Sequence, residues 1–339
     1  MKKIILFLSF LTLLLSLSCT AQVKNEIDEI PFVETGVDSE TWVIIPAGEF
    51  LKGQHRHETM ISEAYEIMLT DVTNAQYATY LNEALAVDSI KVVADSVVGF
   101  YVGDPFDGFK HEFEIPAGYK LYIYLAEPGI RIKFDGTTFS VVSGYENHPV
   151  TFLSWFGANA YAQFYGWRLP LEDEWEKAAR GIDGRTYPWG EEISGNSANY
   201  LSSHTLFEKM YGEQITTTPV GFFNGKTYNG YQTIDHKSPF GLYDMAGNVW
   251  ELTSDLFNVN HYQELDTSKP LLNPTGAKKS YSPSNPYQVE HIMKGGSFLC
   301  HESYCASFRI SAKMGVAIDS GSDHMGFRTV ATLEMLASK

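Results

Sequence analysis

Residues 168–181 read RLPLEDEWEKAARG. A run of helix-forming residues follows Leu169-Pro170 and stops at Gly181, so a helix is predicted from Glu172 to Arg180. Trp175 and the alanines that follow it suit a packed helix. Taken alone, these residues indicate helix and core and carry no obvious chemistry.

Two more helices are predicted on either side of a less regular region. Thr73 and Gln76 form a capping-box pattern ahead of a helix over about 74–85. Ser154 is the expected cap of a helix from about Trp155 to Tyr165, which Gly166 would end. Earlier still, residues 42–53 give two short strands around a Pro-Ala-Gly turn.

Between Ala86 and Asn147 the pattern changes to short β-type runs, such as 118–125 and 129–134. We interpret 86–147 as an inserted hairpin or small sheet that shapes a substrate rim or binds a partner. Its tyrosines are also explained by simple packing. From Leu201 onward, helix signals are few and Gly, Asn, Ser and Pro are frequent, which indicates loops around a few strands.

Two cysteines lie five positions apart in the run KGGSFLCHESYC, at Cys300 and Cys305, and Cys19 is the only other cysteine of the sequence. Thiolates are soft ligands that select Cu(I), and they are also nucleophiles in redox exchange. A structural disulfide is the alternative, although so small a loop gains little stability from one. A chain of this size needs no disulfide for its core, so we interpret the pair as functional.

The run from Gly295 to Cys305 resembles the active-site segment of the formylglycine-generating enzymes, which carry Gly-Gly-Ser and then Cys-His-x-Ser-Tyr-Cys. Residues 168–181, the opening Ile-Pro-x-Gly-x-Phe pattern and the closing Gly326-Phe327-Arg328 are also similar to that family. The resemblance implies one α+β domain over about 42–335, of the C-type-lectin-like kind with little regular secondary structure. Arg328 is expected to form a structural ion pair.

The same resemblance implies a copper-dependent, O2-dependent oxidase that converts a cysteine of a sulfatase Cys-x-Pro-x-Arg motif to formylglycine. Cys300 and Cys305 would hold Cu(I), and Ser297 would support catalysis beside them. The residues expected at the substrate are Trp250, His301 and Tyr304. The partner would be an unfolded or extended sulfatase polypeptide.

Residues 241–251, GLYDMAGNVWE, form a turn-rich loop that suits a hard cation, because Ca²⁺ accepts carboxylate and carbonyl oxygens. By resemblance, calcium would bind the Asp244 side chain and the carbonyls of Met245, Gly247 and Val249. The alternative is a structural turn that holds Trp250 in the core.

A second family calcium site would use Asn199 and the carbonyl of Tyr200. The aspartate expected before Thr218 is missing from this sequence, and only Glu213 is available to replace it.

The first residues have the layout of an export signal, with Lys2-Lys3, an apolar run and small residues near Cys19. We assign residues 1–21 to this signal, with a possible lipoprotein cleavage before Cys19, and residues 22–41 to a tether. The protein is therefore expected to be exported, and to be either periplasmic or anchored in the envelope, for example as an outer-membrane lipoprotein. Membrane contact is expected only through that N-terminal lipid.

The formal charge of −16 becomes −18 when Lys2 and Lys3 leave with the signal. So acidic a surface argues against nucleic acid as a partner. A second hypothesis fits the same fold: a non-catalytic envelope lipoprotein that acts as a binding module, like gliding-motility or secretion-associated relatives. The insertion and the reduced arginine content after Cys305 favour it, whereas the cysteine pair favours the oxidase.

Overall fold

The computed structural model describes residues 29–104, 115–206, 216–301, 303 and 307–337. Its strands, in chain order, are β1 (Trp42–Ile45), β2 (Gly48–Lys52), β3 (His57–Ile61), β4 (Tyr65–Met68), β5 (Ile90–Val93), β6 (Ser96–Tyr101), β7 (Gly118–Tyr124), β8 (Ile132–Phe134), β9 (Phe139–Val141), β10 (Thr227–Tyr228), β11 (Tyr231–Gln232), β12 (Trp250–Leu256), β13 (Leu271–Leu272), β14 (Glu290–Lys294), β15 (Met314–Ala317), β16 (Met325–Gly326) and β17 (Val330–Thr332). The helices of the described residues are α1 (Asn74–Ala86), α2 (Trp155–Phe164), α3 (Glu172–Arg180), α4 (His261–Glu264) and α5 (Leu333–Ala337). Short strands and few helices make this an α+β fold with little regular secondary structure, as the sequence predicts.

The three predicted helices are confirmed as α1, α2 and α3, and local signals explain where each begins. The Thr73 hydroxyl accepts from the Gln76 N–H, and the Gln76 side chain accepts from the Thr73 N–H, which completes the capping box of α1. Ser154 accepts from the Gly157 N–H at the start of α2. Gly181 follows α3 with φ 72°, a conformation that glycine adopts without steric cost.

Replacing Thr73 with alanine is expected to lower the free energy of unfolding by about 1 kcal/mol, because the first turn of α1 loses a side-chain acceptor. Urea unfolding followed by circular dichroism would measure the loss. Thr79→Ala on the exposed side of the same helix is the matched control, and it should be neutral or slightly stabilising. Equal losses in the two variants would contradict the assigned cap.

The domain contains a four-stranded sheet, whose strand β14 leads directly into the cysteine segment, and a three-stranded sheet. The first has the order β15-β14-β12-β16, and the second has the order β1-β4-β17. In the second sheet both neighbours of β4 run antiparallel to it, so the first and last strands of the domain flank one central strand.

Residues 86–147 contain two small sheets, β5-β6-β7 and β8-β9. The inner side of the larger sheet is packed: Val97 and Ile123 are fully buried, and the Tyr122 ring lies against Gly99. A methyl group on Gly99 would come within 2.2 Å of the Tyr122 hydroxyl oxygen, so the close approach requires glycine. The insertion is therefore a structured sheet that is fixed to the domain by one face.

The ordered fold begins before Trp42, which corrects the expectation that residues up to 41 are only a tether. Ile30 is buried, and its N–H donates to the Ser143 carbonyl. Asn147 and Asn224 donate to the carbonyls of Val33 and Thr35. The acidic composition of this segment did not predict the docking. Backbone carbonyls accept the hydrogen bonds, and only a few apolar side chains take part.

Helix α3 is buried along its whole length, and ion pairs compensate its charges. Lys52 lies 2.5 Å from Asp173, while Glu172 lies 3.0 Å from Lys313. The Glu172 N–H also donates to the carboxylate of Asp255. Removing one member of such a network would leave a buried charge without its partner, which is costly.

Burial raises the pKa of Asp255 from 3.8 to about 6, although the Glu172 N–H opposes this change. The folded state therefore binds this proton more tightly than the unfolded state, and the stability from this group falls as pH rises from about 4 to 6. We expect the free energy of unfolding of Asp255→Asn, taken relative to that of the parent, to rise by about 1–2 kcal/mol between about pH 5 and pH 8. Unfolding at several pH values tests this, with the exposed Asp95→Asn as a control that keeps the parent profile. A constant difference between Asp255→Asn and the parent would contradict it.

No helix among the described residues is both long and apolar enough to cross a membrane.

Candidate active site

Cys300 ends a tight turn that begins at Ser297. The Cys300 N–H donates to the Ser297 carbonyl at 3.0 Å, and the Ser297 N–H donates to the Cys300 Sγ at 3.4 Å. The Ser297 hydroxyl accepts from the Leu299 N–H. Cys300 is only 3% exposed. The turn thus places a shielded sulfur next to a backbone donor.

Two glycines let this turn form. Gly295 and Gly296 have φ of 87° and 70°, a left-handed region that favours glycine. A Cβ on Gly296 would lie 2.7 Å from the Phe308 backbone nitrogen, so the chain beyond the cysteines packs directly on this glycine. The Gly-Gly-Ser of the sequence is therefore a requirement of backbone geometry.

Backbone hydrogen bonds join the cysteine turn to two other segments that the sequence singled out. The Leu201 N–H donates to the Cys300 carbonyl at 2.9 Å, and the Gly247 N–H donates to the Gly295 carbonyl at 2.8 Å. The structure thus brings together the segments that contain Asn199, Asp244 and Cys300.

Asn248 connects all three segments, and the sequence analysis did not assign it a role. Its N–H donates to the Asn199 carbonyl, and its carbonyl accepts from the Phe298 N–H at 3.0 Å. Its side-chain Oδ1 accepts from the Thr218 N–H. Asn248 is 1% exposed with φ 64°, which is rare outside glycine but tolerated by asparagine. The Gly-Asn pair inside the turn was the available signal.

Below the loop, Arg328 forms the ion pair that the sequence predicts. Its Nε and Nη2 donate to the two oxygens of Glu251, at 2.6 and 2.9 Å. Asp71 lies 3.8 Å away, and neither of its buried carboxylate oxygens has a hydrogen-bond partner. Burial and the nearby Glu251 raise the pKa of Asp71 well above its ordinary value. The Asp244 carboxylate also interacts with this guanidinium through its charge.

The predicted calcium loop has a fixed shape. Asp244 has φ 60°, and its Oδ2 accepts from the Gly221 N–H at 2.7 Å. Burial raises the pKa of Asp244 to about 6, and Glu251 adds to the rise. Met245 and Val249 are buried, and a Cβ on Gly247 would lie 2.3 Å from the Asn199 carbonyl oxygen. Asn199 and Gly247 therefore touch.

At the second predicted calcium site, oxygens of Asn199 and Tyr200 already accept hydrogen bonds. The Tyr200 carbonyl accepts from the Ser203 N–H, and the Asn199 Oδ1 accepts from the Ser203 hydroxyl. Glu213, the remaining candidate ligand, lies outside the described residues. This site stays a prediction.

Trp250 and His301 differ in their surroundings. Trp250 is the first residue of β12 and is 3% exposed, and its backbone N–H donates to the His324 carbonyl. His301 is partly exposed, and its Nδ1 accepts from the Ser303 N–H. Neutral His301 therefore carries its proton on Nε2.

Cys305, Tyr304 and Glu302 lie outside the described residues, as does Cys19 with the predicted export signal. Within the described ranges, no three His, Cys, Asp or Glu side chains form a group that would hold a metal. The only predicted copper ligand whose position is described is thus Cys300.

The protein is thus an α+β domain with little regular secondary structure, in which a hydrogen bond joins the cysteine turn to the loop that contains Asp244. The chain belongs to the family of sulfatase-modifying factor enzyme 1-like domains, whose family model matches residues 30–333. The predicted family and fold class are therefore confirmed.

Three comparisons describe this relationship. The formylglycine-generating enzyme of Streptomyces coelicolor is 31% identical over 298 residues, which are 84% of this chain and 87% of that protein. The serine/threonine-protein kinase pkn1 of Chlamydia caviae is 29% identical over 263 residues, but these are only 32% of its length. The structure of PvdO from Pseudomonas aeruginosa has a TM-score of 0.52 at 19% identity, covering 86% of this chain and 94% of that one. Family and relatives support sulfatase-modifying activity of an oxidative kind.

Proposed function

We propose that this protein is an exported formylglycine-generating oxidase that acts on a cysteine within a Cys-x-Pro-x-Arg segment of a sulfatase. The observation that carries this proposal is the position of Cys300, a buried cysteine that ends the Gly-Gly-Ser turn. A module that only binds a partner has no physical need for two cysteines at the positions of the family's active-site pair.

The donor chemistry of the turn suits copper. Cys300 and Cys305 would hold Cu(I), because soft thiolates select it over hard cations. When bound, the copper would supply one-electron chemistry with dioxygen. The surrounding protein contributes orientation and exclusion of water: the Ser297 N–H donates to the Cys300 Sγ, and Phe298 of the same turn is only 2% exposed.

The substrate of this proposal is an unfolded or extended sulfatase polypeptide that presents its cysteine to the turn. Trp250, His301 and Tyr304 are the proposed contacts for its other residues. The location proposed is the periplasm or envelope, with an N-terminal lipid on Cys19 as the one membrane attachment.

The test is chemical. The mature chain, loaded with copper and supplied with air and a thiol reductant, should convert the cysteine of a Cys-x-Pro-x-Arg peptide to an aldehyde. Mass spectrometry and hydrazide trapping would detect it, and a peptide with serine in place of that cysteine should give no product. The proposal is overturned if several such peptides remain unchanged while the protein holds one copper.

A binding module is the second candidate, favoured by the structured insertion and by the occurrence of this domain within a much longer relative named as a kinase. The same assay separates the two functions. A binding module would retain the peptide or another partner without producing an aldehyde.

We also propose that calcium binds the Asp244 loop, through the Asp244 side chain and the carbonyls of Met245, Gly247 and Val249. The buried carboxylate of Asp244 supports a cation there, because a bound cation would compensate a negative charge that burial makes costly. The sites that contain Asn199 and Tyr200 remain a weaker proposal of the same kind.

Calcium is expected to raise the melting temperature of the parent, since a ligand that binds only the native state stabilises it by about 2.7 kcal/mol at 100 times its Kd. Asp244→Ala should lose the shift, and the exposed Asp266→Ala should keep it. Thermal melts with calcium and with a chelator measure both. An unchanged shift in Asp244→Ala would remove this loop as the site.

A further inference from the structure

The inserted sheet β5-β6-β7 has an outer side that no other described element covers. Strand register places Val98 opposite Leu121 and Phe100 opposite Tyr119, so these side chains share one face. The aromatic face, as we call it, consists of Val93, Val98, Phe100, Tyr119, Leu121 and Tyr124. Since side chains alternate along a strand, the inner face of the same sheet holds the buried Val97 and Ile123.

The aromatic face is unusually exposed. Phe100 is 58% exposed, Tyr119 is 54% exposed and Tyr124 is 41% exposed. At roughly 150–250 Å² per aromatic side chain, and with the aliphatic members added, the face offers on the order of 500 Å². That lies at the upper end of the patches of about 300–600 Å² seen on monomers. It also matches the apolar centre of an interface that covers about 800 Å² on each partner.

The strands of this sheet differ from the rest of the molecule in their lack of acidic residues. The three strands contain no aspartate or glutamate, whereas the whole chain has 41 of them and a net charge of −16. Two copies of so acidic a protein repel each other over most orientations. This sheet lets them approach without bringing strand carboxylates together.

The geometry of the rings disfavours other occupants. Phe100 and Tyr119 meet edge to face at 81°, with centroids 5.9 Å apart, so they do not form a flat platform for a sugar ring. The Lys91 ammonium lies 4.4 Å from the Tyr119 centroid and covers that ring. Lys120, the other cation of the three strands, lies over Phe156 instead. A single lysine that already contacts a tyrosine ring attracts an anionic membrane or polymer only weakly.

We propose that the aromatic face is a dimer interface that docks against the same face of a second copy. A twofold axis makes such an interface self-complementary, since each copy contributes the same patch. The sheet that carries the face is held in place, because the Tyr122 ring packs closely against Gly99 on the inner side of that sheet. This interface is independent of the proposed oxidase activity.

Sedimentation equilibrium of the mature chain from about 1 µM to about 100 µM tests the interface. The parent should approach twice the mass of one copy. Phe100→Glu and Tyr119→Glu should each weaken the dimer by at least about 30-fold, as expected for central interface residues. In dilute solution, where the parent is also monomeric, both variants should keep the parent melting temperature, because neither residue is part of the packed core.

Tyr287→Glu is the matched control, because Tyr287 is 81% exposed and lies outside the insertion. It should dimerise like the parent. A parent that stays monomeric throughout the range overturns the interface, and so do dimers that survive both face variants. A monomer that binds phosphatidylcholine vesicles, and loses this binding in Phe100→Glu, would assign the face to lipid instead.

Discussion

Cys300→Ser is expected to reduce aldehyde formation to below about one thousandth of the parent rate, even with copper supplied in excess. Serine keeps the size of the side chain but replaces a soft sulfur with a hard, protonated oxygen, so one of the two proposed copper ligands is lost. Cys305→Ser should behave in the same way. Turnover is measured as the aldehyde product of a Cys-x-Pro-x-Arg peptide under air with a thiol reductant.

Ser297→Ala supplies the graded comparison. It leaves both sulfurs and the backbone N–H that contacts the Cys300 Sγ, and it removes only the hydroxyl that accepts from Leu299. A loss of about 10–100-fold is expected, as for residues that orient a metal ligand. Parent-like turnover in Cys300→Ser at an unchanged melting temperature would show that the sulfur is not part of the reaction.

Arg328→Met is expected to lower the free energy of unfolding by about 3–5 kcal/mol, a large part of the stability of a typical domain. Methionine fills part of the space but leaves Glu251 and Asp71 buried without their cation. The substitution also removes the guanidinium that donates hydrogen bonds to the carbonyls of Met68, Leu69 and Tyr243. Thermal and urea unfolding would both record the loss.

Arg185→Met is the matched control, since Arg185 also binds a carboxylate at 2.6 Å but does so at the surface. Its partner Asp183 is about half exposed, so the loss should stay within about 1 kcal/mol. Arg328→Lys should remain strongly destabilised, because an ammonium does not reproduce the planar fork of donors. Similar losses at the two arginines would contradict the central role of the buried pair.

Local signals in the sequence predicted the three helices well. Thr73 with Gln76, Ser154 and Gly181 each act on atoms a few residues away, so their chemistry is readable without the fold. The Gly295-Gly296-Ser297 motif was identified through the family resemblance, and the structure adds that both glycines have positive φ.

Long-range hydrogen bonding escaped prediction. The role of Asn248 depends on Asn199, Thr218 and Phe298, which are distant in sequence and reach it only in the folded chain. The docking of residues 29–41 was missed for a related reason, because side-chain amides bind its carbonyls and carbonyls are the same in every sequence. The partner of Arg328 was unspecified until the fold brought Glu251 beside it.

The position of β17 in the sheet has a consequence for the timing of folding. β4 pairs on one side with β1 and on the other with β17, and Arg328 donates to a carbonyl 260 residues earlier in the chain. Closing so long a loop is slow compared with forming local structure. A growing chain cannot complete this sheet until Val330–Thr332 have been synthesised. A molecule that crosses a membrane soon after synthesis would therefore cross it before it folds, and would assemble its thiol site only on the far side.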